Sequence, residues 1–208
     1  MTQIALPLAH RRVADPDRIV VGNANQSVIE ALRDPAAWPF RTAILTGPPR
    51  SGKSLLGRWF AAQGPHGKAL GGVLDGADQV DETELFHRWN RAQEEGQSLF
   101  LISDARPWEI TLPDLRSRLG AALHLEIAAP DDTMVAGLIE SLAGQRALVL
   151  GEGALTYLVP RAVRSFAGIE RLVAAIDRLS MERKAPATLS VWRDALEAVQ
   201  GAEQPKLL

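Results

Sequence analysis

Gly47-Pro48-Pro49-Arg50-Ser51-Gly52-Lys53-Ser54 decides the fold, because it satisfies the G-x-x-x-x-G-K-[ST] phosphate-binding spacing between an apolar run and a helical one. Residues 42–46 read as a buried strand and 55–62 as a helix. The loop between them, with Leu55 behind it, therefore brings successive backbone N–H groups and a helix N-terminus to one point, where negative charge is stabilised. In this pattern Lys53 reaches the β- and γ-phosphates of a nucleotide and the Ser54 hydroxyl completes a Mg2+ shell, so ADP or ATP with Mg2+ is the expected ligand. A Gly/Pro-rich strand-to-helix turn is the plainer alternative, and the fixed spacing argues against it.

Outward from the loop, residues 19–21 read as a short strand and 26–33 as a helix, closed by Pro35-Ala36-Ala37-Trp38-Pro39. Residues 68–74 read as a strand ending in Asp75, 82–95 as an amphipathic helix, and 98–103 and 123–127 as apolar strands. Residues 106–119 mix turn and short helix. From 130 onward only helices are expected, over 131–143, 153–165, 168–183 and 190–199. Strands alternating with helices and then giving way to helices predict a parallel α/β sheet followed by a small all-helical lid. The expected organisation is a tail over 1–12, an α/β nucleotide-binding domain over 13–129, the lid over 130–200 and a tail over 201–208.

The 208 residues suffice for a real core. With 23 Lys and Arg against 25 Asp and Glu, the net charge of −2 offers no overall footprint for duplex DNA or an anionic membrane. There is no cysteine, and the four histidines lack ligand spacing, which disfavours a structural zinc. No signal-like or bilayer-length apolar run is present, so a soluble, cytoplasmic chain without a membrane partner is expected.

Two further features carry chemistry. Asp75 ends an apolar strand, where P-loop NTPases place the acid that holds Mg2+, but the next residue is Gly76, which cannot orient an attacking water. Asp78 and Glu82 lie at other spacings. Binding with poor intrinsic hydrolysis is the expectation. Arg116 and Arg118, in Asp114-Leu115-Arg116-Ser117-Arg118-Leu119, precede the last strand. An arginine supplied to a neighbour's γ-phosphate contributes about 10³ to 10⁵ in rate, although an arginine pair on a short helix is more often a solvated face.

In this order the motifs resemble the AAA+ modules of the bacterial replication-initiator group, DnaA and more closely the DnaA-regulating Hda (HdaA) family. The sheet would then be a shortened AAA+ P-loop core of about four strands. Pro113-Asp114-Leu115-Arg116-Ser117-Arg118-Leu119 is similar to box VII, whose last arginine acts in trans, which implies Arg118 as the catalytic finger. Ser103-Asp104 resembles sensor 1, and Val163-Arg164-Ser165-Phe166-Ala167-Gly168 resembles sensor 2, implying Arg164 over the phosphates; a shifted alignment favours Arg171. Val20-Val21-Gly22-Asn23-Ala24-Asn25 is similar to the segment lining the adenine pocket.

At the N-terminus, Gln3-Ile4-Ala5-Leu6-Pro7-Leu8 resembles the Hda peptide that docks on the sliding clamp, the β subunit of DNA polymerase III. Gln3 offers amide donors and an acceptor, Leu6 and Leu8 fit an apolar pocket, and Pro7 limits the entropy lost on ordering. Two departures qualify the resemblance, a shortened core and Gly76 in place of a second acid after Asp75. Only twenty-two positions separate Lys53 from Asp75, so a strand–helix unit is missing relative to DnaA, the unit that carries the initiator's single-strand contacts. The chain also leaves no room after the lid for a helix-turn-helix domain, and no sequence-specific DNA binding is expected. The resemblance thus implies a negative regulator of replication initiation that binds the clamp and stimulates ATP hydrolysis by DnaA, with room for a homodimer. A clamp–DnaA adaptor without catalytic effect and a self-sufficient NTPase are the alternatives.

Overall fold

A computed structural model describes residues 19–63 and 71–201. Its centre is a four-stranded parallel sheet of β1 (Thr42–Thr46), β2 (Gly71–Asp75), β3 (Ser98–Ile102) and β4 (Leu123–Glu126), in the order β2-β3-β1-β4. β3 is buried throughout and β1 over its first four residues, as suits central strands covered on both faces. Side chains alternate across them. Ala43, Leu45, Phe100 and Ile102 enter one core layer, and Ile44, Leu99 and Leu101 the other.

Parallel neighbours need crossovers, and helices supply them. α1 (Gln26–Arg33) and α2 (Lys53–Ala62) cover the first face, where Phe60 stacks on Trp38 at 5.3 Å and meets Phe100 edge-on at 5.4 Å. α3 (Glu82–Glu94) and α4 (Pro113–Gly120) cover the second face through Leu85, Trp89, Leu115 and Leu119. Gly57 lets α2 lie close to the sheet: a Cβ there would stand 2.6 Å from Ile102 Cδ1.

Beyond the sheet, α5 (Asp132–Gln145), α6 (Ala154–Leu158), α7 (Phe166–Arg183) and α8 (Leu189–Gly201) enclose their own core around Val135, Ile139, Leu158, Ile169, Val173, Ile176 and Trp192. Asp131 caps α5 by accepting from Met134 N at 2.8 Å, and Ser165 caps α7 by accepting from Gly168 N at 3.1 Å. None of the helices among the described residues is long and apolar enough to cross a membrane.

Three local expectations are corrected. Residues 19–21 form no strand, because Asn25 folds them into a turn: its side chain donates to Val20 O at 2.9 Å and accepts from Gly22 N at 3.0 Å. Residues 153–165 are not one helix. Pro160 sits in a 3-10 turn over Val159–Arg161, and the chain then extends into the Ser165 cap. α2 begins at Lys53, two residues earlier than expected, because Gly52 in the left-handed region turns the loop straight into the helix.

Candidate functional site

The loop from Gly47 to Gly52 joins β1 to α2 and aims that helix's N-terminus into a cleft of about 720 Å3. Gly52 has φ 89°, and Arg50 has φ 64°, so an arginine occupies a conformation that glycine takes without cost. Lys53 is only 6% exposed. Its Nζ donates to Gly47 O at 2.8 Å and Pro48 O at 3.1 Å and pairs with Asp104 Oδ1 at 2.8 Å. Ser54 lies exposed in the first turn of α2 and lines the cleft. Ser51 Oγ is buried with no hydrogen-bond partner among the described residues. An orphaned hydroxyl, a buried ammonium and a helix N-terminus at one cleft form a donor set that suits a phosphate chain.

Pro48, Pro49 and Leu55 also line the cleft, Arg58 of α2 and Arg106 add positive charge, and the helical unit closes it with Leu138, Leu142, Phe166, Ile169 and Glu170. A smaller recess of about 140 Å3, which shares Ser51, Leu55 and Phe166 with the cleft, is lined by apolar Ile19, Val20 and Met134 and by polar Asn25, Ser141 and Gln145. Val20 lines this recess. Val21 does not, being 58% exposed.

Strand order decides which acid faces the loop. β3 lies between β1 and β2, so the end of β3 presents Asp104 to Lys53, while Asp75 pairs in register with Ile102 one strand further out. Asp75 is exposed and outside the cleft lining, so Ser54 and Asp75 are not brought together in one pocket. Asp78 instead supports the sensor-like turn, accepting from Asp104 N at 3.1 Å. Burial works to raise the Asp78 carboxyl, but bonds from the Gln79 side chain, the Asp104 and Asp78 backbones and Ser103 outweigh it and hold it below 3.8.

Of the arginines, Arg118 lies on α4 with its guanidinium 4.5 Å from the ring centroids of both Phe86 and Trp89, and its Nη1 donates to Asn90 Oδ1. Phe86, Trp89 and Asn90 share one face of α3 by helical spacing and form a cradle. The neighbouring Arg116 is exposed and lines a separate cavity of about 920 Å3 with Trp108 and His124. Glu82, in the first turn of α3, accepts from Thr111 N at 2.9 Å and Leu112 N at 2.6 Å, which fixes the start of α4. These backbone bonds, then the Thr111 hydroxyl, hold the Glu82 carboxyl below 4.5.

Arg164 pairs with Asp132 at 2.8 Å and does not line the cleft; Arg171 donates to Ala167 O at 3.4 Å and does not line it either. Instead the C-terminal helical unit sends in Glu170, which meets Arg50 Nε at 3.5 Å. Glu170, Arg58, Arg106 and Phe166 escaped the sequence reading. Only the helical period of 166–170, which turns residues 166, 169 and 170 to one side, could have indicated Glu170. Gln3, Ile4, Leu6, Pro7 and Leu8 lie outside the described residues.

No protein-family model and no curated protein sequence matches the chain. Solved structures do. Domain III of the replication initiation protein DnaA from Thermotoga maritima aligns with a TM-score of 0.71 at 16% identity, over 89% of this chain and 98% of that one. AMPPCP-bound DnaA from Aquifex aeolicus aligns at 0.58 with 17% identity, over 83% and 71%. The Holliday junction branch migration motor RuvB of Thermotoga maritima aligns at 0.57 with 20% identity, over 85% and 68%. At these identities the likeness concerns the fold: a four-stranded parallel sheet flanked by helices, with a helical C-terminal part, in the AAA+ P-loop architecture.

Proposed function

We propose that this chain is an Hda-like regulator of replication initiation, which binds the sliding clamp through residues 3–8 and stimulates ATP hydrolysis by DnaA. The observation that carries the reading is α4: in a fold that aligns with nearly all of DnaA domain III, the box VII-like helix holds Arg118 on an aromatic cradle near the surface. From there a change of side-chain rotamer brings the guanidinium to a partner. Docked on ATP-bound DnaA, Arg118 supplies positive charge to the terminal phosphate as it is transferred to water, which offsets the charge developing there. Hydrolysis leaves the initiator with ADP.

The chain's own nucleotide has a structural role in this reading. Loop N–H groups, Lys53 and the Ser51 hydroxyl would hold the phosphates, Ser54 with Asp104 would hold Mg2+, and the recess beside Val20 would take the base. Bound there, a nucleotide joins core to lid and stabilises the fold by mass action. The residue after Asp75 is glycine and Asp75 lies outside the cleft, which supports slow turnover without a partner.

The test measures ATP hydrolysis by DnaA with clamp-loaded DNA, for wild type, Arg118→Ala and a Gln3→Ala/Leu6→Ala double variant. Stimulation by wild type and its loss in both variants is expected, and absence of stimulation by wild type refutes the reading. A second reading, a clamp–DnaA adaptor, draws support from the bonds that engage Arg118 within its own chain. It requires Arg118→Ala to retain full regulatory function.

A further inference from the structure

We infer that Phe40 is a docking residue of the Arg118 face, a strained and exposed aromatic side chain that enters the partner to which Arg118 is offered. This rests on the proposed reading, in which that partner is ATP-bound DnaA.

Phe40 stands out on two counts. Its backbone lies in the left-handed region, at φ 50° and ψ 26°, and Arg41 follows at φ 49°. For a bulky L residue that conformation is an outlier, whereas glycine adopts it without the cost. Its side chain is also presented to water, with the residue 57% exposed. Phenylalanine thus suits neither the turn nor the solvent at position 40.

The turn does not need the ring. Phe40 O accepts from Thr42 Oγ1 at 2.9 Å and from Gln93 Nε2 at 2.8 Å, and Arg41 Nη1 donates to Gly96 O at 2.9 Å. None of these bonds involves the Phe40 side chain, so Thr42 and the end of α3 over-determine the strained backbone and leave the residue type open. What the clamp fixes is where the ring stands. Its centroid lies 6.4 Å from that of Trp89, and the Arg118 guanidinium lies 4.5 Å from Trp89. Trp89 is buried, so the groups that flank it toward solvent are Phe40 and the half-buried Arg118.

The charge of this face points the same way. Arg41 and Arg118 are each bonded to a neutral oxygen, of Gly96 and of Asn90, and among the described residues neither is paired with a carboxylate. An exposed ring beside two uncancelled guanidinium groups has the aromatic and arginine-rich make-up of an interface centre, and it suits a partner that brings an anion there. The terminal phosphate that Arg118 meets in the proposed reading is that anion. A backbone already clamped in place loses little freedom on docking.

The experiment follows ATP hydrolysis as the concentration of ATP-bound DnaA is raised, on clamp-loaded DNA saturated with wild type, Phe40→Gly, Phe40→Trp or Arg118→Ala, and melts each protein. Phe40→Gly should raise KM for ATP-bound DnaA on the order of tenfold and change the maximal rate by less than about twofold. Its Tm should stay within about 2 °C of wild type, because relief of the strained φ offsets the lost ring contact with Trp89. Phe40→Trp, which keeps an aromatic ring, should restore the wild-type KM, and Arg118→Ala should lower the maximal rate instead. An unchanged KM in Phe40→Gly, or a KM raised only together with a lower Tm, overturns the inference and leaves the regulator reading standing. Absence of stimulation by wild type refutes that reading and the inference with it.

Discussion

Lys53 is expected to hold the loop together as well as to bind phosphate, and its replacement separates the two roles. In Lys53→Met the side chain keeps its apolar bulk but loses two hydrogen bonds to the Gly47 and Pro48 carbonyls and the pair with Asp104. Hydrogen bonds from a charged donor contribute roughly 1.5–3 kcal/mol each, and a carbonyl left unsatisfied costs about 1–3 kcal/mol. The pair with Asp104, a highly exposed acid, adds only about 0–1 kcal/mol. Removing the ammonium also ends its own desolvation penalty, so the net loss settles at about 2–3 kcal/mol. For a chain of this size each kcal/mol moves Tm by about 2–4 °C, which predicts a nucleotide-free variant melting roughly 4–12 °C below wild type. Saturating ADP, at about 100 times Kd, adds about 2.7 kcal/mol to wild type and nothing to the variant. Differential scanning fluorimetry, with and without ADP, measures both. A nucleotide-free variant that melts at or above wild type would falsify the argument, since Lys53 would then be held against its solvation by the fold alone.

Two further outcomes are expected. The Glu82 carboxyl is held below 4.5 in the folded chain, so the stability it contributes is fully present above that value and lost as pH falls through the lower folded pKa; Glu82→Gln should flatten the decline of Tm below pH 4.5 and leave its slope near neutrality unchanged. Ser165→Ala removes the cap of α7 and should cost about 1 kcal/mol, seen as a Tm lower by about 2–4 °C, together with weaker ADP binding as Phe166 and Glu170 lose their anchor. An unchanged Tm there means the Gly168 N–H finds water at no loss.

Where local chemistry dominates, the sequence was readable. The buried strands around the loop, α1, α3 and most helices of the C-terminal unit announce themselves through apolar period, and the loop itself through its glycines and Lys53. The errors are local competitions that pattern does not weigh. At 19–21 the Asn25 side chain satisfied backbone groups that a strand would have paired, and at 153–165 Pro160 cut a helical period that otherwise continues. Of the segment 68–74, residues 71–74 form β2 as expected, and 68–70 lie outside the described residues.

The sequence by itself determined that a phosphate-type loop with its lysine stands between a buried strand and a helix, because spacing within one turn of chain needs no distant partner. Only the tertiary structure decided what surrounds that lysine. Parallel pairing is non-local, and inserting β3 between β1 and β2 set Asp104 rather than Asp75 against Lys53. Packing of α3 on α4 likewise seated Arg118 between Phe86 and Trp89, and packing of α7 on the core aimed Glu170, rather than an arginine, at the loop. Each depends on which faces of separate elements meet, and a linear pattern records the faces without recording the meeting.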